Sequence, residues 1–581
     1  MFFNRTITSR AGDFFNRIRP PVIRRDKRII ALFVLFFCGC AAVTPSFMRA
    51  FIIELAERFV VHRKLTAPVW MEFLLQASIK SVALSVPALL GYLFIDLKKG
   101  LEKQPAADFY RRAFIKPVSG MFVLYALGMT SIIRADFLYG YDDILRALSI
   151  RGREWDFSRH VTNSLAVILH ADTRPADISP LPQLLAALFL AAAGVLLVYA
   201  VSGGRITKTA CFVSLSAGLS PLFLECLAFK FDAPYMALSI LVSVVPFLFV
   251  RDFVVFSFVS FVSLLVMTMT YQSSSGIYII VVIVLCLKAW NERSETGKRI
   301  LCFAGVSALS YSLALVYFRV FFMESFTRQN ITTDVFSAGR LFSGVLDNAV
   351  VYMRTVNNDY ALVWKILTIL VCVMFLVKTA VSTKRNKAAA LAVSLAALTA
   401  MCVLSCGVYL VLSGMNFYRP RYLYGFGVFI AIAGIHAVHG EGVIGKITAV
   451  PAVLLSWCFV VFSFLYGNML SDQRKYSDFR AGILVHDLSV LFPQRTGEKI
   501  KIEGGEGLAP SIQNRVARYP ILPKLIMTRI VPSYSVHYLK GYYNFDLQDD
   551  EQIEDAGLDT MLDSYYHTIK SDGNRIVVIL K

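Results

Sequence analysis

Between positions 29 and 468 the chain is a succession of apolar runs of about 17 to 25 residues, parted by short polar segments. In hydrocarbon no water is present to pair with backbone N–H and C=O groups, so runs of this length must become helices that satisfy their own backbone. Roughly thirteen spans are expected on this count, at 29–50, 71–95, 115–134, 181–203, 209–229, 234–250, 253–270, 275–290, 300–323, 360–379, 388–413, 422–439 and 446–468. Composition agrees: 56% of residues are apolar and mean hydropathy is +0.59, above what soluble domains carry. The fold class is a polytopic α-helical membrane protein. All ten cysteines fall inside apolar runs, which leaves the polar segments without thiols for a disulfide or a thiolate metal site.

The net charge of +19 would suggest nucleic acid in a soluble protein. Here the basic residues gather in the connections between spans, as cytoplasmic loops require, so no nucleic-acid partner is expected. Connections holding Lys98, Lys99, Lys103, Arg111, Arg112 and Lys116, then Arg205 and Lys208, Arg251, Arg293 with Lys298 and Arg299, and Lys384, Arg385 and Lys387 alternate with the rest. They place a basic tail, residues 1–28, on the cytoplasmic side and the C-terminus on the opposite, outer side. Residues 29–468 form the membrane domain, with outer loops at about 135–180 and 324–358. Residues 469–581 form a soluble tail: KYSDFRAGILVHDLSVLF has helical spacing, EKIKIEG and RIVVILK are strand-like, and SDGN is a turn, so a small α/β module is expected. The tail also carries an acidic stretch and tyrosines at 534, 538, 542, 543, 565 and 566. Aromatic faces beside carboxylates suit sugars, although a solvated acidic face is the commoner outcome.

The polar chemistry collects on the outer side. The loop from Tyr139 to Leu181 is too charged to lie in hydrocarbon, and it opens with Tyr141, Asp142 and Asp143 ahead of a short helical pattern. One aspartate can cap that helix while the other serves as a general base. Arg146 and Arg159 downstream, and Arg419 and Arg421 in MNFYRPRYLYG, can bind a phosphate through charge-assisted, bidentate bonds. In FLECLAFKFDAPYM, Glu225, Lys230 and Asp232 are ionisable residues at a membrane face, where pairing or function is needed to offset their desolvation. Gln272 in TYQSSSG can bond a substrate hydroxyl or cap a helix. His436 and His439 share a helix face, but with only Glu441 nearby an interfacial role outweighs a metal site. No nucleotide-binding signature is present, so an enzyme working on this face would need an already activated, membrane-borne substrate.

These stretches, namely YGYDDILRAL, GREWDFSRHVTNSL, ADISPLPQLLA, SPLFLECLAFKFDAPYMAL, TYQSSSGIYI and RPRYLYGFG, together resemble the integral-membrane O-antigen glucosyltransferases, the serotype-converting type encoded with bacteriophage-derived modification operons. The resemblance covers about 137 to 430. It implies a GT-C-like fold, a catalytic acidic residue in an outer loop, and a polyprenyl-phosphate-linked sugar as donor. It further implies transfer of glucose, or a related hexose, to a repeat unit of the lipopolysaccharide O-antigen at the periplasmic face of the bacterial inner membrane; separately, no cofactor is expected. Where the family pattern reads Gly-Arg-Trp this chain has Ser158-Arg159-His160, so only Arg159 carries over. The mechanism expected from these residues is inverting: Asp142 or Asp143 takes the acceptor proton, arginines stabilise the leaving phosphate without metal, and Lys230 with Asp232 orients the sugar. The competing classes are a lipid-linked sugar flippase or other transporter, and an O-antigen polymerase or ligase. A transporter would place charges and paired repeats at the membrane midplane, whereas here they cluster on one face.

Overall fold

The structure is a computed structural model that describes residues 114–581, apart from 149–157, 173, 324–326, 329–330, 333, 439–441, 494–498, 531–534, 544–547, 551 and 556. The expected N-terminal tail and first two spans, and Arg151, Arg153, Asp156 and His439, lie outside the described residues. The first described helix, α1 (Lys116–Ala135), opens on Pro117, whose missing N–H has no helical partner to lose in the first turn. It buries Met121, Tyr125, Met129, Ile132 and Ala135 along one stripe, and stops where Asp136 turns left-handed at φ 47°. Two short helices follow in the polar loop, α2 (Gly140–Ala147) and α3 (His160–His170).

The bundle continues through α4 (Leu181–Val201), a run broken into α5 (Lys208–Ser214), α6 (Ser216–Leu219) and α7 (Pro221–Ala228), then α8 (Ala233–Val244), α9 (Phe253–Thr268), α10 (Ser275–Asn291) and α11 (Gly297–Phe321). Within the expected outer loop 324–358 the chain forms α12 (Leu341–Asp359), followed by α13 (Leu362–Ser382), α14 (Lys387–Leu404), α15 (Gly425–Val438) and the 50-residue α16 (Gly442–Leu491). Seven of the described helices are long and apolar enough to cross a membrane, or eight if the pair bent by 64° at Ser220 is one span. Three expected spans are shorter helices instead, at Ala233–Phe249, Phe253–Thr268 and Gly425–Val438. A hydropathy window reads only how apolar a run is. Of these three, α15 is apolar because it packs inside the bundle, where every one of its residues is buried.

Contacts gather the connections: Lys288 Nζ donates to Val201 O at 2.7 Å, and the Arg299 guanidinium sits 5.8 Å from the Phe253 ring. One end holds Arg205, Lys208, Arg251, Arg293, Lys384 and Arg385. Its helices are started by Thr207, Asp252, Thr296 and Asn386, whose side chains accept otherwise unpaired N–H groups. Hydrogen bonds from Lys384 N–H to Asn291 O at 2.8 Å and from Arg385 Nε to Trp290 O at 3.0 Å join its loops. The other end holds the loops singled out in the sequence. They meet closely there: a Cβ on Gly276 or Gly425 would collide with the Ser405 carbonyl, and Gly407, at φ +65°, abuts Ser275. The α10 start, the turn after α14 and the α15 start therefore cross at backbone contact.

The tail begins inside a helix, because α16 runs through position 469 without a break. Beyond it, α17 (Pro510–Val516), α18 (Leu522–Leu525) and α19 (Ser535–Tyr543) accompany a five-stranded sheet of β1 (Lys499–Glu503), β2 (Gln548–Asp549), β3 (Asp559–Asp563), β4 (His567–Ser571) and β5 (Arg575–Leu580). Its order is β2-β1-β5-β4-β3, with β1 parallel to both neighbours and β3, β4 and β5 antiparallel. Ile500, Ile502, Ile576, Val578 and Leu580 cover Ala481, Leu484 and Leu488 of α16. The same cluster includes Leu138 and Ile144 from the loop after α1, so tail and polar loop share one core.

Candidate functional site

Asp143 lies at the centre of the polar loop. Its Oδ2 accepts N–H groups from Tyr139 at 3.0 Å and Lys230 at 2.9 Å, which fastens the start of α2 to the turn before α8. Oδ1 is buried without a hydrogen-bond partner. Burial, and then the nearby charge of Asp232, push its pKa up to about 8, against the pull of the two N–H groups and Arg146. Asp142, its neighbour, is half-buried on the first turn, and Tyr141 packs against the tail cluster. One aspartate thus anchors backbone while the other stands at the surface of the same turn.

The structure joins Arg146 to Asp232 at 3.1 Å, with both side chains buried. Lys230 Nζ bonds Asp136 and also Asp177, the latter at 2.7 Å. Burial alone would lower the Lys230 pKa, but these two carboxylates hold it above its usual value. Asp177 is pushed up by burial and is held down more strongly by Lys230 and Ser179. Asp136 also takes Arg474 of α16 at 2.8 Å, yet its side chain stays 51% exposed. This gives an outer group of alternating charges: Arg474, Asp136, Lys230 and Asp177.

A second, inner group lies behind it. Glu225 is fully buried; its Oε2 accepts the Arg421 N–H at 2.9 Å and its Oε1 is 3.7 Å from Arg421 Nε. The Arg421 guanidinium sits 5.1 Å above the Phe229 ring, and that of Arg159 sits 4.7 Å above Tyr271. Cys226, next to Glu225 in α7, is fully buried. Buried polar atoms without a hydrogen-bond partner in the chain gather here, including Tyr271 Oη, Glu225 Oε1 and Arg421 Nε. Such atoms are rare in folded proteins; of these, Glu225 Oε1 and Arg421 Nε face each other as an ion pair, and the Tyr271 hydroxyl has no hydrogen-bond partner in the chain. Tyr139, between the two groups, feels Glu225, Arg419 and Arg421.

Asp142, Asp143, Arg146, Arg159, Lys230, Asp232 and Arg421 are thus brought to one end of the bundle. Arg419 lies at its rim, 5.7 Å from the Tyr418 ring. Gln272 is half-buried and is the first residue of the one-turn 3₁₀ segment Gln272–Ser274, whose N-cap is Tyr271. His436 lies elsewhere, with Nε2 3.3 Å from the Thr379 hydroxyl. Ser158 and His160, the departures from Gly-Arg-Trp, are accommodated. Ser158 has φ 57°, a conformation glycine adopts freely, and His160 Nε2 makes the ring-nitrogen contact to Phe322 O at 3.0 Å.

Several site residues had no role in the sequence reading. Asp136 follows an apolar run directly, a position where a charge is noticeable. Asp177 was visible only as one charge among many in its loop. Tyr271 and Tyr139 resemble ordinary aromatic residues, and the pair Asp359–Lys524, at 2.6 Å, joins segments with no sequence proximity.

No curated protein and no solved structure is detectably similar to the chain. A protein-family model described as glucosyl transferase GtrII matches residues 130–432, just over half of the 581 residues, and this run from the end of α1 into α15 supplies every member of both charged groups except Arg474. The chain belongs to the GtrII glucosyl transferase family.

Proposed function

We propose that this protein transfers a glucosyl, or related hexosyl, group from a polyprenyl-phosphate-linked donor to a repeat unit of lipopolysaccharide O-antigen at the periplasmic face of the inner membrane. The observation that carries the reading is the convergence of Arg159 and Arg421 with the buried, unbonded Tyr271 hydroxyl beside a row of carboxylates, inside the matched family segment. A lipid-borne donor keeps its chain in hydrocarbon while its phosphate meets these guanidinium groups, with Arg419 at the rim. Fixed cations aimed at the phosphate stabilise the charge that grows as it leaves.

The acceptor hydroxyl attacks the anomeric carbon from the side opposite the phosphate, so the C–O bond to phosphate breaks as the new glycosidic bond forms and configuration inverts. Asp142 takes the hydroxyl proton. Asp143 is a poorer base because its Oδ2 is engaged by two N–H groups and burial favours its neutral form. Arg146 and Asp232 neutralise each other and fix α2 against the α8 turn, while Lys230, held by Asp136 and Asp177, orients the sugar. Asp136 is the second candidate base, because it is the most exposed carboxylate of the outer group.

The test is the mass of O-antigen repeat units from cells with the intact gene, without it, and with Asp142→Asn. One added hexose per repeat, lost in the last two, supports the reading and the base. Retention of the hexose in Asp142→Asn together with its loss in Asp136→Asn moves the base to Asp136. A repeat mass identical in all strains overturns the transferase reading and favours transport, while a changed chain length at constant repeat mass favours a polymerase.

A further inference from the structure

The family match ends at 432, yet the tail beyond it reaches the site. Between Tyr519 and Arg529 the chain crosses from one side to the other. The Tyr519 ring lies 5.6 Å from Trp364 and 5.1 Å from Phe462, and Lys524 bonds Asp359. The Leu525 carbonyl accepts the hydroxyls of Tyr139 at 2.8 Å and Tyr466 at 3.0 Å. The Arg529 guanidinium sits 4.5 Å above Phe137, the residue after Asp136. The tail is therefore one wall of the site.

That wall brings α19 to the outer charged group. Of the tail tyrosines noted in the sequence, Tyr534 lies outside the described residues, Tyr538 is buried, and Tyr543 and Tyr566 are half-buried. Tyr565 is exposed at the β3–β4 turn, on the edge of the sheet, with its ring 5.0 Å from Tyr566. Tyr542 is 48% exposed, and it lies within the electrostatic reach of Lys230, Arg529, Asp177 and Asp136. Its ring is braced by Tyr538 at 5.1 Å, and Tyr538 is fixed in turn by hydrogen bonds to Asp478 at 2.6 Å and from Arg529 at 3.0 Å. A rigid, exposed aromatic face beside charged hydrogen-bonding groups is the arrangement that holds a pyranose: C–H groups on the ring, hydroxyls on the charges.

We propose that Tyr542 is the platform on which a sugar ring of the acceptor glycan stacks, so that the tail sets acceptor specificity. The inference rests on the glycosyltransferase reading. Tyr542 belongs to the water-facing module, which a hydrophilic polysaccharide can reach, whereas the arginines assigned to the donor phosphate lie in the inner group at the span ends. The donor therefore does not need this ring.

The experiment measures initial rates with the purified full chain in lipid, using polyprenyl-phosphate glucose as donor and lipopolysaccharide from the gene-deleted strain as acceptor, for wild type, Tyr542→Ala, Tyr542→Phe and Tyr542→Trp. Tyr542→Ala raises the acceptor KM about five- to tenfold, in keeping with the loss of one aromatic stacking contact, and leaves the donor KM unchanged. Tyr542→Phe and Tyr542→Trp stay near wild type, because the face and not the hydroxyl does the binding. An acceptor KM unmoved by Tyr542→Ala, a rise in donor KM instead, or a Phe variant as defective as Ala overturns the platform while wild-type transfer still stands. Absence of transfer by the wild type overturns the transferase reading, and the platform with it.

Discussion

Asp143 ties the pH behaviour of the polar loop to one buried carboxyl. Its pKa is raised from the ordinary 3.8 to about 8. Between those values the folded chain holds a proton that the unfolded chain has released, so stability falls as pH rises through this window and levels off above it. Thermal unfolding followed from pH 5 to pH 9 is expected to show a falling Tm in the wild type and a flatter profile in Asp143→Asn, which keeps the Oδ acceptor and cannot ionise. The same variant retains most transferase activity, while Asp142→Asn loses about 100-fold or more, the usual contribution of a positioned base. Full activity in Asp142→Asn at normal abundance would remove it from the mechanism. Ser158 offers a second residue-scale test. Its φ of 57° is uncommon for a residue with a Cβ, so Ser158→Gly should gain about 0.5 to 1 kcal/mol in Tm-derived stability and Ser158→Val should lose more than that.

Among elements, the decisive contacts are those that tie short helices to turns. Arg146 on α2 and Asp232 before α8 form a buried pair, and removing one partner takes an opposite charge away from the other in a buried setting. Arg146→Ala is expected to destabilise the loop by about 3 kcal/mol, and Arg146→Ala combined with Asp232→Ala by less than the sum of the two single changes. Denaturant unfolding of the three variants measures this. The sequence made the elements around the site legible and most of their contacts invisible. Apolar runs located the helices of the bundle because burial and span length both appear as hydropathy, and for the same reason they do not tell a span from a shorter apolar helix such as Gly425–Val438. The charged loop was legible because carboxylates beside long apolar runs must avoid hydrocarbon. That Asp143 turns inward while Asp142 does not depends on which N–H groups Tyr139 and Lys230 present, and these come from segments far apart in sequence. Tyr271, Asp359 and Lys524 stand out only once the turns are assembled.

At the scale of the whole molecule, basic residues line one end and the two charged groups line the other, the asymmetry that orients a membrane protein. A single cysteine placed at Tyr565 in a cysteine-free background should react with a membrane-impermeant maleimide in intact spheroplasts, and one at Arg205 only after lysis; the reverse labelling would invert the proposed orientation. The tail and membrane domain are joined by α16, and its buried residues trace one stripe along it: Leu455, Phe459, Phe462, Tyr466 and Leu470 in the bundle, then Gln473, Ser477, Ala481, Leu484 and Leu488 under the tail. The helix therefore fixes angular phase as well as distance between the two halves of the site. One alanine inserted after Leu470 would rotate everything beyond it by about 100° and advance it about 1.5 Å, swinging the wall that carries Lys524, Arg529 and Tyr542 away from the loop it completes. A chain built on such a shaft can change the side chains of its tail one at a time, and with them the glycan it accepts, but not the spacing that indexes the tail to the membrane domain.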